Sequence, residues 1–343
     1  MQALSSSPVE GQAASMGSRS RAPVFVLGSP RSGTTLLYHM VLSAGGFAVL
    51  RSETHFFNLF EPGFGDLRIA RNKENLMHAW FATRMFRISQ LKADEVRAKV
   101  MAECQNGGDL LRMFMGEIAR KQGVERWAEC TPDHLLYIER IKQTIPDALI
   151  IHIIRDGRDV ALSLDKQRWI RPLPGDGERH LEVAALYWEW AVHRGRQAGR
   201  KLGGDYCEVS FEQLVRNPSP VLAEVSEFIQ QDLNYDRIQK AAIGSIAQPN
   251  SSFQNGSQAG EFNPIGRWKE ALSPEQIRTM EALIGDTLRE LGHATAAVDS
   301  KTARQPQLAR LRSRYRRYFD LKLWLKNKPG VGQLLVNKHL DWL

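Results

Sequence analysis

The sequence predicts an α/β fold of three layers, in which a central parallel sheet is covered on both faces by helices, bears helical insertions and ends in a C-terminal helical tail. Three observations carry that expectation. Two short apolar runs, Pro23 to Leu27 (PVFVL) and Ala148 to Ile154 (ALIIHII), each stop at a polar turn that opens a helix. The second run is apolar almost throughout and rich in Ile, the pattern of a parallel strand buried on both faces. Between and after these runs, apolar residues recur every three or four positions, which is the helical period.

The elements follow in order. Residues 1–22 are rich in Ser, Gly and Ala and lack the apolar stretch of a signal peptide, so they read as a disordered leader before a domain spanning 23–300. After the first strand, Thr34 to Ser43 reads as a helix that buries Leu36, Leu37, Met40 and Val41. The turn at Gly45-Gly46 leads to a second short strand at Phe47 to Leu50. Several helices are expected between Lys73 and Gly123, with breaks near Ala93-Asp94 and Asn106-Gly107-Gly108. Asp133 to Thr144 reads as a further helix, and Glu178 to Lys201 as a long one with Leu181, Ala185, Trp188 and Val192 along one stripe. Tyr206 to Val209 is a candidate strand and Pro220 to Gln231 a helix. Ser273-Pro274-Glu275-Gln276 is a helix start, with Ser as the cap, Pro at the first helical position and Gln three residues after the cap; Gly292 supplies the stop.

Composition narrows the function classes. A chain of 343 residues, 43% hydrophobic and 24% charged, is ordinary globular material for one main domain. No run of about 18 apolar residues is present, which argues against a membrane span. Cys104, Cys130 and Cys207 are scattered, with no spacing that reads as a metal site or a disulfide framework, so a reducing, cytoplasmic setting and no metal requirement are expected. The net charge of +8 is carried by residues 301–343, where only Asp320 and Asp341 oppose the lysines and arginines. In this tail Leu308, Leu311, Tyr315, Phe319, Leu323 and Trp324 interleave with the basic residues, continuing to Leu334-Leu335-Val336. Such a basic amphipathic segment can dock on the body, dimerise or lie on an anionic membrane surface, and docking on the body or on a partner is preferred.

Two segments read as anion sites. Gly28-Ser29-Pro30-Arg31-Ser32-Gly33-Thr34-Thr35 follows a strand and opens a helix, so backbone N–H groups and the positive end of the helix dipole converge on one point. The spacing is that of a P-loop, yet Thr34 stands where its Lys would reach the β/γ-phosphates. Arg155-Asp156-Gly157-Arg158-Asp159 to Ser163 follows the buried strand and starts another helix, which puts a second set of cations at a strand's carboxyl end. Asp156, Arg158 and Asp159 read as an ion-pair network that orients this loop. A P-loop kinase or related nucleotide enzyme is the alternative; the missing Lys and the arginine, rather than a magnesium-binding Asp, after the buried strand speak against it. A non-catalytic nucleic-acid or membrane binder working through the tail would leave both loops unexplained, and no nucleic-acid partner is expected.

The P-R-S-G-T-T run closely resembles the 5'-phosphosulfate loop of sulfotransferases that use 3'-phosphoadenosine 5'-phosphosulfate (PAPS), particularly the tyrosylprotein and bacterial branch. The resemblance implies a P-loop-like fold in which Arg31 contacts the phosphosulfate while Ser32, Gly33, Thr34 and Thr35 hold the phosphate. Arg155 and Ser163 match the family's grip on the 3'-phosphate, and Gly266-Arg267-Trp268 resembles the loop that closes over the nucleotide, with Arg267 as a second cation. Phe211 stands where relatives usually have Tyr, and Cys130 where they often have a Lys; Arg51 or His134 could substitute for that cation. The implied reaction is in-line transfer to a hydroxyl or amine, leaving 3',5'-adenosine bisphosphate (PAP). Its base must neighbour the Arg31 loop, and Glu53 is preferred to His55 for that role. The acceptor class stays open among peptide tyrosine, carbohydrate, lipid and small phenol.

Overall fold

The computed structural model of the chain describes residues 19–241, 263–295, 306–328 and 331. Five strands, β1 (Val24–Leu27), β2 (Phe47–Ala48), β3 (Arg126–Glu129), β4 (Leu149–Ile154) and β5 (Tyr206–Ser210), form one sheet in the order β2-β3-β1-β4-β5. Every neighbouring pair is parallel. Side chains alternate across it: Phe25, Leu27, Ile150 and Ile154 enter one core, while Val24, Val26, Leu149, Ile151 and Ile153 enter the other. The expected α/β/α layering and buried fourth strand are thus what the chain adopts.

The connections explain where a ligand can sit. Helix α1 (Thr34–Ser43), which follows β1, buries Leu37, Met40 and Val41 on the second face. Helix α8 (Gly157–Gln167), which follows β4, buries Val160 and Leu164 on the first. Strands β1 and β4 are direct neighbours, with Leu27 opposite His152, so their outgoing chains part to opposite faces and open a crevice at the carboxyl edge. The loops beginning at Gly28 and Arg155 flank that crevice. They pack so closely that a Cβ on Gly28 would lie 2.5 Å from the Ile153 carbonyl oxygen.

The helical insert comprises α2 (Glu61–Phe64), α3 (Ala70–Phe81), α4 (Arg84–Ser89), α5 (Ala93–Glu103) and α6 (Gly107–Gln122). The breaks before Ala93 and at Asn106-Gly107 fall where the sequence put them; that at Ala82-Thr83, where Thr83 caps α4, was not expected. Sequence reading missed β3, because Arg126-Trp127-Ala128-Glu129 has no apolar alternation. Arg126 is buried there by donating to Ala22 O at 2.8 Å and by lying 4.9 Å from the Phe47 ring centre. The expected helix from Asp133 to Thr144 divides into a 3₁₀ stretch (Pro132–Tyr137) and α7 (Ile138–Thr144). The second strand ends at Ala48 rather than Leu50.

Helix α9 (His180–Gly199) presents the expected stripe to the core, and α10 (Phe211–Arg216), α11 (Pro218–Ile229) and α12 (Tyr235–Ala241) follow β5. After α13 (Trp268–Ala271) comes α14 (Pro274–Glu290), whose Ser273–Gln276 capping box forms as the sequence indicates. The tail helix α15 (Pro306–Lys326) lies on the body, burying Leu311, Tyr315, Phe319 and Leu323. Arg312 donates two bonds to the Glu189 carboxylate of α9, at 2.7 and 2.8 Å. Of the expected leader, residues 1–18 lie outside the described residues; Arg19 already packs, donating to Gly204 O at 2.9 Å. Leu334-Leu335-Val336 also lies outside them. Among the described residues no helix is long and apolar enough to cross a membrane.

Candidate active site

The first anion loop is a cradle with open donors. Gly33 caps α1 at φ 96°, and no side chain caps the helix, so the first N–H groups of α1 face the crevice end. A Cβ at Gly33 would lie 2.3 Å from Phe211 Cδ2; close approach and positive φ together require glycine here. Arg31 also takes a left-handed backbone, φ 74°, which costs a non-glycine residue about 1–2 kcal/mol and sets its side chain across to α8. There Arg31 Nε donates to Ser163 Oγ at 2.9 Å, and the guanidinium lies 5.5 Å from the Trp169 ring centre. Ser29 and Ser32 are fully buried, and their hydroxyls have no hydrogen-bond partner among the described residues.

The second loop interlocks with the first. Arg155 Nη1 donates to Arg31 O at 3.2 Å, Nη2 donates to Pro264 O, and the guanidinium lies 4.6 Å from the Phe211 ring centre. Its Nε is buried without a partner among the described residues. Phe211, where a Tyr was the expectation, therefore supplies a flat face to Arg155 and a wall to Gly33. The sequence reading put Ser163 with Arg155 on one group; in the structure Ser163 of α8 accepts from the Arg31 side chain while Arg155 donates to the Arg31 carbonyl, so all three meet at the crevice.

Asp156, Arg158 and Asp159 form the expected network. Arg158 pairs with Asp156 at 2.7 Å and Glu281 at 2.5 Å and lies 3.8 Å from the Trp268 ring centre. Asp159 accepts from the Gly266 and Trp268 N–H groups at 2.7 and 3.1 Å, which fastens the Gly266-Arg267-Trp268 segment over the Arg155 loop. Burial first, then the nearby Arg155 and Arg267 charges, push the Arg31 guanidinium below its ordinary pKa. Three guanidinium groups so close repel one another, and an anion among them would relieve that repulsion.

The proposed base sits in a separate, heavily pinned segment. Thr54 N–H donates to Thr131 Oγ1 at 2.9 Å, and Thr54 Oγ1 donates to Glu129 Oε1 at 2.9 Å. Glu129 is fully buried at the end of β3, and it also accepts from Thr131 Oγ1 and from His134 Nδ1 at 3.0 Å. Burial pushes its carboxyl up, but His134 and the two hydroxyls outweigh that and hold it at about 2. His55 follows at φ 54° and opens a wide turn, Phe56–Phe60, in which Phe60 N–H reaches back to His55 O at 3.2 Å. His55 Nε2 lies 3.2 Å from Glu53 Oε2. Asn58 Nδ2 lies 3.2 Å from His55 Nδ1 and donates to Asp133 Oδ2 at 3.2 Å. Because the amide nitrogen can only donate, His55 Nδ1 accepts, and the imidazole proton sits on Nε2, toward Glu53.

Cys130 joins the two halves of the site. It is buried in the core of the second face, with its thiol pushed up by burial and by the nearby Glu129 and Glu53 charges, and it interacts with Thr34 of α1. The Glu53 charge is therefore felt at a residue that also meets the phosphate loop's helix. His134 cannot supply the cation that Cys130 lacks: its Nδ1 serves Glu129 and its Nε2 accepts from Phe57 N–H at 3.3 Å. Sequence reading missed Glu129, Thr131, Asn58 and Asp133 as positioning residues; the Glu-Cys-Thr-Pro run was the available signal, and it was read for its cysteine alone.

Comparison with known proteins agrees with this geometry. The family model described as the Sulfotransferase family matches residues 23–235, most of the chain. The fold is similar to the sulfotransferase domain from the curacin biosynthetic pathway, with 16% identity, a TM-score of 0.52 and coverage of 80% of this chain and 99% of that one. It is also similar to the sulfotransferase domain of the Synechococcus PCC 7002 olefin synthase, at 19% identity and a TM-score of 0.50, covering 85% and 94%. No curated protein matches the chain. With both anion loops inside the matched segment and meeting at one crevice, the chain belongs to the sulfotransferase family.

Proposed function

We propose that the chain moves a sulfuryl group from PAPS to a hydroxyl or amine acceptor by in-line displacement, with Glu53 as the general base. The observation that carries this reading is the crevice between β1 and β4, where Arg31, Arg155 and the uncapped start of α1 converge. Its residues suit a nucleotide with phosphate at both ends: the Ser29 and Ser32 hydroxyls and Arg155 Nε are buried polar atoms that an anion would satisfy. Residues 31–35 would hold the 5' end, and Arg155 and Ser163, with Gly266, Arg267 and Trp268, the 3'-phosphate. The donor supplies the sulfuryl group and a phosphate leaving group; Arg31 would stabilise charge as that phosphate departs.

Glu53 would take the proton from the attacking oxygen or nitrogen. The His55 tautomer supports this assignment, since an Nε2–H directed at Glu53 orients an ionised carboxylate and has no lone pair there to accept a proton. His55 thus serves as an orienting group, held in turn by Asn58 and Asp133. The test is transfer from labelled PAPS by Glu53→Gln and His55→Asn variants. Glu53→Gln is expected to lose about 10²–10⁴-fold in turnover with PAP affinity kept, and His55→Asn to lose less. Near-normal turnover of Glu53→Gln removes Glu53 from the role. Thermal stabilisation by ATP-Mg but not by PAP would remove the donor assignment itself.

A further inference from the structure

The family match ends at residue 235, yet α15, which begins at Pro306, reaches the segment that carries the proposed base. A line of short contacts connects them. Lys326 is the last residue of α15, and its Nζ lies 3.5 Å from Asp133 Oδ2. The same oxygen accepts from Asn58 Nδ2 at 3.2 Å, and that amide nitrogen lies 3.2 Å from His55 Nδ1. On the other side of the ring, His55 Nε2 lies 3.2 Å from Glu53 Oε2. The docking of α15 fixes where Lys326 stands. Leu311, Tyr315, Phe319 and Leu323 recur every four residues and are buried against the body. Tyr315 Oη accepts from Leu173 N–H and donates to Asp176 Oδ2, both at 2.9 Å. Asn327 closes the helix, its N–H and its side-chain amide donating to Leu323 O at 3.2 and 3.0 Å.

The Asn58 amide could present either end to its neighbours. Its Oδ1 is buried with no hydrogen-bond partner among the described residues, so only the nitrogen end is held. An ionised Asp133 carries no hydrogen and can accept only from that nitrogen. With the amide so turned, its second hydrogen meets His55 Nδ1, and the ring proton stays on Nε2, facing Glu53. A carboxylate that swung away would free the amide to turn its oxygen to Nδ1 and draw the proton to the wrong side of the ring. We propose that Lys326 is a positioning residue for the base: it holds the Asp133 carboxylate against Asn58 and so fixes the His55 tautomer that orients Glu53. The tail helix is then a working part of the site, although it lies beyond the family-matched segment. The inference deepens the sulfuryl-transfer reading and rests on it.

The experiment reads the imidazole directly. The full chain, labelled with nitrogen-15 histidine and saturated with PAP, is followed by long-range proton–nitrogen correlation NMR, and the His55 signals are identified by their loss in His55→Asn. In the wild type Nδ1 is expected to be bare and Nε2 protonated. Lys326→Met keeps the aliphatic stem and removes the charge, so the ratio of the tautomers is expected to shift about fivefold toward Nδ1–H, the worth of one partly exposed ion pair. Lys326→Arg is expected to match the wild type. Asp133→Asn with and without Lys326→Met should give one spectrum, because Lys326 acts through Asp133. A merely structural role for Lys326 would loosen the end of α15 and leave the His55 tautomer unmoved. The proposal is overturned by a protonated Nδ1 in the wild type, by an unmoved ratio in Lys326→Met, by Lys326→Arg following Lys326→Met, or by a further change in the double variant. Near-normal turnover of Glu53→Gln, read from another variant and another signal, strikes the underlying reading instead.

Discussion

Glu129→Gln keeps the shape of the buried side chain and removes its charge, and the surrounding bonds allow the consequence to be worked out. Thr131 Oγ1 already accepts from Thr54 N–H at 2.9 Å and from His55 N–H at 3.4 Å, so its own hydrogen must go to residue 129. His134 Nε2 is occupied by the Phe57 N–H, so its Nδ1–H must also go there. A glutamine has one accepting oxygen, and its NH₂ group meets a donor whichever way it turns. One buried donor left unpaired costs about 1–3 kcal/mol, more when a charge is lost with it. The carboxyl is held at about 2, below its ordinary 4.5, so its ionised form is a source of folded-state stabilisation. Because the folded value is depressed, this stabilisation is complete above the ordinary value and is lost as pH falls through about 2. Urea unfolding of wild type and variant should differ by about 2–3 kcal/mol at neutral pH, and the gap should narrow through that acid window. A variant as stable as the wild type at neutral pH, or a gap constant through the window, would refute the reasoning.

Other outcomes follow from the same geometry. Gly33→Ala must carry φ 96° and displace Phe211 from beside Arg155, so PAP affinity by calorimetry should fall at least about tenfold; unchanged affinity would show that the cradle tolerates a side chain. Asp159→Ala removes the acceptor for the Gly266 and Trp268 N–H groups, so hydrogen exchange at both amides should quicken by about tenfold or more, while exchange in β4 stays as in the wild type. Unaltered exchange at Gly266 would mean that the closing loop is held by other contacts.

The parts of the fold that could be read from the sequence are those in which local chemistry suffices. Val24–Leu27 and Leu149–Ile154 are apolar because both faces of the sheet are covered, and the residues that follow each strand are helix starts, so both loops announce themselves. Ser273 caps α14 through neighbours three residues away, which any sequence window contains. By contrast, β3 is polar at both ends, and its burial depends on the Ala22 carbonyl, the Phe47 ring, Thr54 and His134, partners distant in the chain.

The candidate site divides along the same line. Arg31, Gly33 and Arg155 were visible as motif residues, yet which group each one meets was decided by the opposite exits of α1 and α8 from neighbouring strands. That exit geometry brings Ser163 of α8 within reach of Arg31 on the opposite loop. In the same way, the sequence marked Glu53 and His55 as rivals, while Asn58 and Asp133, brought beside them by the turn at Phe56 and the 3₁₀ stretch after Pro132, supply the bonds on which the proposed division of their roles rests. Local residue chemistry therefore determined most of the elements and both anion loops, and the resemblance of those loops pointed to the family; long-range packing alone decided the partners, because a hydrogen bond has direction and its direction depends on chain segments that meet only in the folded state.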